Sequence, residues 1–245
     1  MVYDQCFGVH ELSWSGLERS QNSQKVTIPL YKGGLELSKR TDTLIVGIPA
    51  TIDNDVFGTD ETIGFDTAVN TAVAEIDKIR DTAISFDRIF IVEVLGRTRG
   101  FIALTVGLTV GAEIILVPEQ KYSLEEISRN MREKEAKGKK SGLIVAAEGI
   151  GDTRKLGEEM QKKTGAEVRL SVLGYAQRGG NPTARSRLLA ALFSDNAVDL
   201  LLEGQGNRIV DLQNGLITST DLEKSCGSTK PLDLSLLRLA NTLAT

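Results

Sequence analysis

The chain has 245 residues, of which 41% are hydrophobic and 25% charged, with 29 basic against 33 acidic residues and a net charge of -4. That length can bury one large core or two smaller ones, and that balance gives no whole-chain attraction for nucleic acid or an anionic membrane, so any phosphate binding must be local. Two cysteines far apart, Cys6 and Cys226, and a lone histidine, His10, point to neither a disulfide framework nor a zinc site. No apolar run approaches the roughly 20 residues of a membrane span, and the amino terminus lacks the charged-then-apolar order of a signal peptide, which makes the cytoplasm the expected setting. Residues 1–30 hold a polar cluster, SQNSQK, with no sustained period, and read as a leader unrelated to the rest of the chain.

From about Lys32 onward, apolar runs of strand length alternate with helical-period segments, the pattern of a doubly wound α/β fold with mostly parallel sheets flanked by helices. Residues 43–48, TLIVGI, predict a buried parallel strand. Residues 62–80 predict an amphipathic helix, with Val69, Val73, Ile76 and Ile79 at spacings of three and four. Further strands are expected at 88–94, 113–117, 142–147 and 167–173, with helices at 101–110, 123–137 and 156–164 between and after them. Pro182 suits the first turn of a longer helix reaching Leu202, which Gly204 and Gly206 end. A pair of strands around Gly215 and a helix over 232–243 complete the chain.

Chemistry concentrates at the ends of the predicted strands. TIDND, residues 51–55, places Asp53 and Asp55 two apart after the first of them, where open α/β sheets bind ligands. Paired acids there can form an ordinary solvated turn; beside a phosphate, one can take a proton from a hydroxyl while the other orients it or holds a metal ion. Gly96 and Arg97 follow the next strand, Glu148 follows another, and Arg178, Gly179 and Gly180 a fourth. Together these loops offer, on one edge, acids for sugar hydroxyls, guanidiniums for phosphate and glycines that let backbone come close.

Three segments carry a resemblance: residues 47–83, beginning GIPATIDNDVFGTDETIGFDTAV; VEVLGRTRG, residues 92–100; and VLGYAQRGGNP, residues 172–182. They resemble the fructose 6-phosphate-binding region of 6-phosphofructokinases, without gaps from TIDND to QRGG and loosely on to the end, so that the resemblance covers about residues 31–245. The resemblance implies ATP-dependent phosphoryl transfer to the 1-hydroxyl of fructose 6-phosphate, a step of glycolysis. It implies Asp53 as general base, Thr51 supporting the transferring phosphoryl group, and Arg97 stabilising charge. Asp55 would orient the sugar, Leu95 and Gly96 would complete the arginine's loop with leucine in place of the usual methionine, and Glu148 would bond sugar hydroxyls. Arg178 would hold the 6-phosphate beside Tyr175, which stands where a histidine is more usual, while Arg88 and Arg169 would reach that phosphate from a neighbouring subunit of a homo-oligomer. Arg80, Glu113, Lys137 and Lys139 resemble an allosteric effector-nucleotide site, although KEAKGKK, residues 134–140, reads equally well as a solvated helix end.

The glycine-rich phosphate loop and the Gly-Gly-Asp segment of the family's nucleotide-binding half do not occur in this sequence; IPL, residues 28–30, stands before YKGGLELSKR where the latter would end. On that resemblance the chain is expected to carry the sugar-phosphate part without the magnesium ligand, so that no metal site lies within it and Mg2+ comes with ATP. Ala50, before TIDND, resembles the small residue of ATP-using members where pyrophosphate-using members carry lysine, and the resemblance thereby implies ATP as donor. A non-catalytic sugar-phosphate-binding or regulatory subunit and a pyrophosphate-dependent phosphofructokinase are the alternatives.

Overall fold

The computed structural model describes residues 27–86, 88–136, 138 and 141–243. Most of the predicted leader, with Cys6 and His10, lies outside the described residues, as do Lys137 and Lys139; the leader's last residues instead open the first helix, α1, at Thr27–Arg40. The chain divides into two compact units.

The larger unit comprises Ile52–Asp55, Phe65–Gly180 and Pro231–Thr245. Its centre is a four-stranded sheet of β4 (Ile89–Val94), β5 (Ile114–Leu116), β6 (Gly142–Ala147) and β7 (Val168–Val172), in the order β5-β6-β4-β7 with every pairing parallel. Because side chains alternate along a strand, a strand covered on both faces is apolar at nearly every position, which is why IFIVEV, with Glu93 its one polar residue, and GLIVAA were legible as runs. Val92, Val94, Val145 and Ala147 point to one face, against Val69 and Ile76 of α2 (Phe65–Phe86) and Ile102 and Val106 of α3 (Phe101–Thr109). Ile91, Ile144 and Ala146 point to the other, against Ile127 and Met131 of α4 (Leu124–Ala136) and Leu156 and Met160 of α5 (Thr153–Thr164). The edge strand β7 alternates in burial less sharply and leaves Val172 exposed. A short helix, α8 (Ser235–Leu243), packs against α3 and β5 and starts three residues later than the sequence predicts.

In the other unit, β1 (Val46–Gly47) pairs in parallel with β8 (Arg208–Gln213), which forms a hairpin with β9 (Leu216–Asp221). The hairpin turns at Asn214 and Gly215, with φ of 53° and 81°, the left-handed pair that a two-residue turn matched to strand twist requires. Two corrections to the sequence reading arise here. The strand expected at 43–48 forms ladder bonds only at Val46–Gly47, and a second pair, β2 (Ala50–Thr51) with β3 (Ile63–Gly64), takes over after Pro49, which has no N–H to give. The helix expected from Thr62 starts only at Phe65, because Ile63 and Gly64 belong to β3 and Gly64 turns the chain at φ 100°.

Helix α6 (Ala184–Leu202) buries Leu189, Phe193 and Leu200 beside Val210 and Leu212. Pro182 precedes its cap instead of occupying the first turn: Thr183 is the N-cap, its hydroxyl accepting the Ser186 N–H at 3.2 Å. Thr183→Ala is expected to cost about 1 kcal/mol of stability, read from the denaturant midpoint; an unmoved midpoint would show that the cap contributes nothing. The smaller helix α7 (Leu222–Gly227) follows β9 directly, capped by Asp221. Among the described residues, no helix is long and apolar enough to cross a membrane.

Candidate functional site

Parallel pairing brings the carboxyl ends of β4, β6 and β7 to one edge: Val94 lies opposite Ala147, and Glu93 opposite Val172. Three of the four loops singled out in the sequence therefore do share a rim, residues 95–97, Glu148 and the 3-10 turn Gly174–Arg178. The fourth, Ile52–Asp55, reaches the same unit as a loop and does not continue a strand of that sheet. Thr51 ends β2 in the other unit, buried, with its carbonyl accepting the Thr62 hydroxyl at 2.6 Å.

The loop after β4 is shaped by two left-handed residues, Gly96 at φ 143° and Arg97 at φ 52°. A Cβ on Gly96 would stand 2.6 Å from the Arg99 carbonyl oxygen, so a side chain there would break the turn. The bend turns two successive N–H groups the same way, and Glu148 Oε1 accepts both, from Gly96 at 3.2 Å and from Arg97. Such a nest of amides is a ready anion site. Glu148 thus braces the arginine loop with one oxygen and has a second to offer a hydroxyl.

Arg97 Nε lies 3.2 Å from Asp53 Oδ2, and Asp53 is only 6% exposed. Burial raises its carboxyl from the ordinary value of 3.8 to about 6; Asp55 adds to the rise through like charge, Arg97 opposes it, and Glu148 and Arg178 act as smaller pushes in each direction. A carboxylate poised near neutrality, with a guanidinium beside it, is suited to take a proton from a hydroxyl as that hydroxyl attacks. Its loop is bent by Asn54 at φ 53°.

Arg178 is exposed, with its guanidinium 5.1 Å from the centre of the Tyr175 ring, and Tyr175 is 81% exposed. The two form an open arm, and the field of Arg178 is felt at Asp53. Leu95 is buried, and its N–H goes to the side chain of Gln177 at 2.8 Å.

The remaining predicted residues are not gathered on this rim. Arg88 precedes β4 and Arg169 is the second residue of β7, toward the amino ends of their strands, roughly 20 Å and 10 Å from the respective carboxyl ends at ~3.3 Å per residue. Both pair with Glu167, Arg88 at 2.7 Å, and these bonds, that from Arg88 foremost, hold the glutamate below the usual carboxylate range. Arg80 donates to the Val110 carbonyl at the end of α3, and Glu113 accepts the Leu143 N–H at 2.5 Å.

Sequence reasoning passed over three residues that shape the rim. Gln177, inside the QRGG motif, is 1% exposed. Glu119 bonds to the Gly100 N–H at 3.1 Å and lies 3.3 Å from Arg99, bracing the far side of the arginine loop. Gly149 is so close to the Arg97 carbonyl and Pro118 that a Cβ would collide with both. A polar residue inside a motif otherwise assigned to glycine and arginine was the available signal for Gln177; the other two depend on contacts between loops.

The fold and this rim match a known family over most of the chain. Residues 30–201 match the model described as Phosphofructokinase, and the chain belongs to the phosphofructokinase family. It is 47% identical over 214 residues to the ATP-dependent 6-phosphofructokinase of Lysinibacillus sphaericus, covering 87% of this chain and 67% of that one. It is 48% identical over 199 residues to the enzyme of the same name from Bacillus licheniformis, covering 81% and 62%. Within the family, then, it is of the ATP-dependent 6-phosphofructokinase type. The chain spans about two thirds of the length of these curated relatives. Among solved structures it is similar to phosphofructokinase from Saccharomyces cerevisiae, with a TM-score of 0.70 and 28% identity over 81% of this chain and 29% of that one. A pyrophosphate-dependent phosphofructokinase from Marinobacter aquaeolei, with a TM-score of 0.73 at 22% identity over 85% and 59%, shares the fold.

Proposed function

We propose that this chain supplies the sugar-phosphate site of an ATP-dependent 6-phosphofructokinase, at which the terminal phosphoryl group of ATP passes to the 1-hydroxyl of fructose 6-phosphate. The observation that carries the reading is the Asp53–Arg97 pair: a buried carboxylate raised to about 6, 3.2 Å from a guanidinium, on a rim that also presents Arg178. Phosphoryl transfer asks the protein mainly for positioning and charge neutralisation. Asp53 takes the proton of the 1-hydroxyl, Arg97 faces the charge spreading over the transferring group, and Thr51 supports that group. Asp55 orients the sugar, Leu95 and Gly96 set the loop, Glu148 bonds hydroxyls, and Arg178 with Tyr175 grips the 6-phosphate.

Arg88 and Arg169 serve a neighbouring copy's phosphate, which fits their place at the opposite ends of the strands. The working form is accordingly a homo-oligomer, with the cytoplasm as its setting. An effector nucleotide near Arg80 and Glu113, with Lys137 and Lys139, belongs to the same reading. Mg2+ accompanies ATP in this reaction class. Among the described residues no three acidic, histidine or cysteine side chains gather as a metal cage, and Asp53 is held by Arg97 at 3.2 Å.

Calorimetry with fructose 6-phosphate and an ATP turnover assay on the same sample test the reading. Saturable binding is expected, and sugar-dependent ADP release would establish transfer by the chain itself; binding without turnover would replace the enzyme by a non-catalytic sugar-phosphate subunit, and no binding would end both readings. Arg178→Ala is expected to weaken fructose 6-phosphate by roughly 10- to 100-fold, since a charge-assisted contact to a dianion is lost. Unchanged affinity would remove Arg178 from the phosphate.

A further inference from the structure

One wholly buried polar side chain ties three parts of the rim together. Gln177 Oε1 accepts the N–H of Leu95 at 2.8 Å, and its Nε2 donates to the Ala68 carbonyl in the opening turns of α2 at 3.5 Å. It stands between Tyr175 and Arg178 in the turn Gly174–Arg178, while Leu95 stands two residues before Arg97. We propose that Gln177 is a positioning residue whose amide fixes the spacing between Arg178 and Arg97, and with it the span over which one substrate is gripped at its phosphate and at its reacting hydroxyl.

The chemistry of the side chain supports this. An amide offers a donor and an acceptor at its tip, and here one goes to each side. Leucine of similar size would leave a buried N–H bare, which the chain can mend only by moving the loop or admitting water. An ionised glutamate would accept from Leu95 and repel the Ala68 carbonyl, whereas a protonated glutamate reproduces both bonds. Burial favours protonation, so Gln177→Glu is a variant whose fit is set by pH. The ligand in this inference rests on the sugar-phosphate reading; the coupling of the two loops does not.

Peptide-resolved hydrogen exchange on the ligand-free chain, with calorimetry against fructose 6-phosphate, tests it in Gln177→Leu and Gln177→Glu at pH 8 and pH 6. In Gln177→Leu, exchange over 95–100 and over 174–178 is expected to rise together by about tenfold, with sugar-phosphate affinity falling by a similar factor, while α6 in the other unit is unchanged. Gln177→Glu is expected to behave like the leucine variant at pH 8 and to return toward the parent chain, compared at the same pH, at pH 6. Faster exchange throughout the unit, with no recovery at pH 6, would mark a merely structural residue and overturn the proposal. So would a folded Gln177→Leu in which only one loop, or neither, exchanges faster. Should the leucine variant not fold, the pH dependence of Gln177→Glu decides alone. Coupled exchange in a parent chain that binds no fructose 6-phosphate would uphold the positioning role and overturn the sugar-phosphate reading.

Discussion

Replacing Asp53 with serine is expected to lower turnover by between about 100- and 10,000-fold while leaving fructose 6-phosphate affinity nearly unchanged. A general base acts as the proton leaves the 1-hydroxyl, so its loss falls on the transition state and spares the ground-state complex. The structure gives Asp53 what that role needs: burial, a carboxyl raised to about 6, and Arg97 at 3.2 Å to receive the charge that develops. Steady-state kinetics decide the point. A variant that keeps its turnover, or one that loses affinity and turnover in equal measure, would take the base role away from Asp53.

The second large effect is on stability, and it runs the other way. Because the folded chain raises the Asp53 carboxyl from 3.8 to about 6, it holds that proton more tightly than the unfolded chain does. Stability from this group is therefore complete below about pH 4 and is lost as pH rises through about 6; above that, the ionised carboxylate costs roughly 3 kcal/mol, at about 1.4 kcal/mol for each pK unit. Asp53→Asn has no proton to lose. It is expected to be more stable than the parent by roughly 2–3 kcal/mol at pH 8, with the difference closing below about pH 4. Denaturant melts across that range check it. An asparagine variant no more stable at pH 8, or one with the same advantage at pH 4, would mean that burial does not strain this carboxylate. Strain kept at a functional position is the usual form of the trade between stability and activity.

Much of this site could be read from residues alone, for a physical reason. β4 and β6 are covered on both faces, so their runs are apolar at nearly every position, and the charged residues that follow them, Arg97 after Leu95-Gly96 and Glu148, mark where each run ends. The parallel alternation of strands and helices then places those ends together. What could not be read depended on neighbours. The run at 43–48 has the composition of a central strand but gains a ladder partner only at Val46 and Gly47, and Leu44 stays exposed. Gly64 ends β3 at φ 100° and delays α2, a backbone event that a helical period cannot reveal. Glu148 was expected to meet sugar hydroxyls, and its hold on the Gly96 and Arg97 amides became visible only once Gly96 and Arg97 turned left-handed. Gln177 and Glu119 act across loops distant in sequence, so no spacing pattern marks them.

The central claim is that one rim of the four-stranded sheet grips a hexose phosphate at two ends, and a crystal structure of the chain with fructose 6-phosphate tests it most directly. The account predicts the 6-phosphate on the Arg178 guanidinium and the 1-hydroxyl within hydrogen-bond distance of an Asp53 oxygen, with Arg97 beside it. A sugar phosphate bound away from Asp53, or bound with its phosphate in that carboxylate's place, would contradict it.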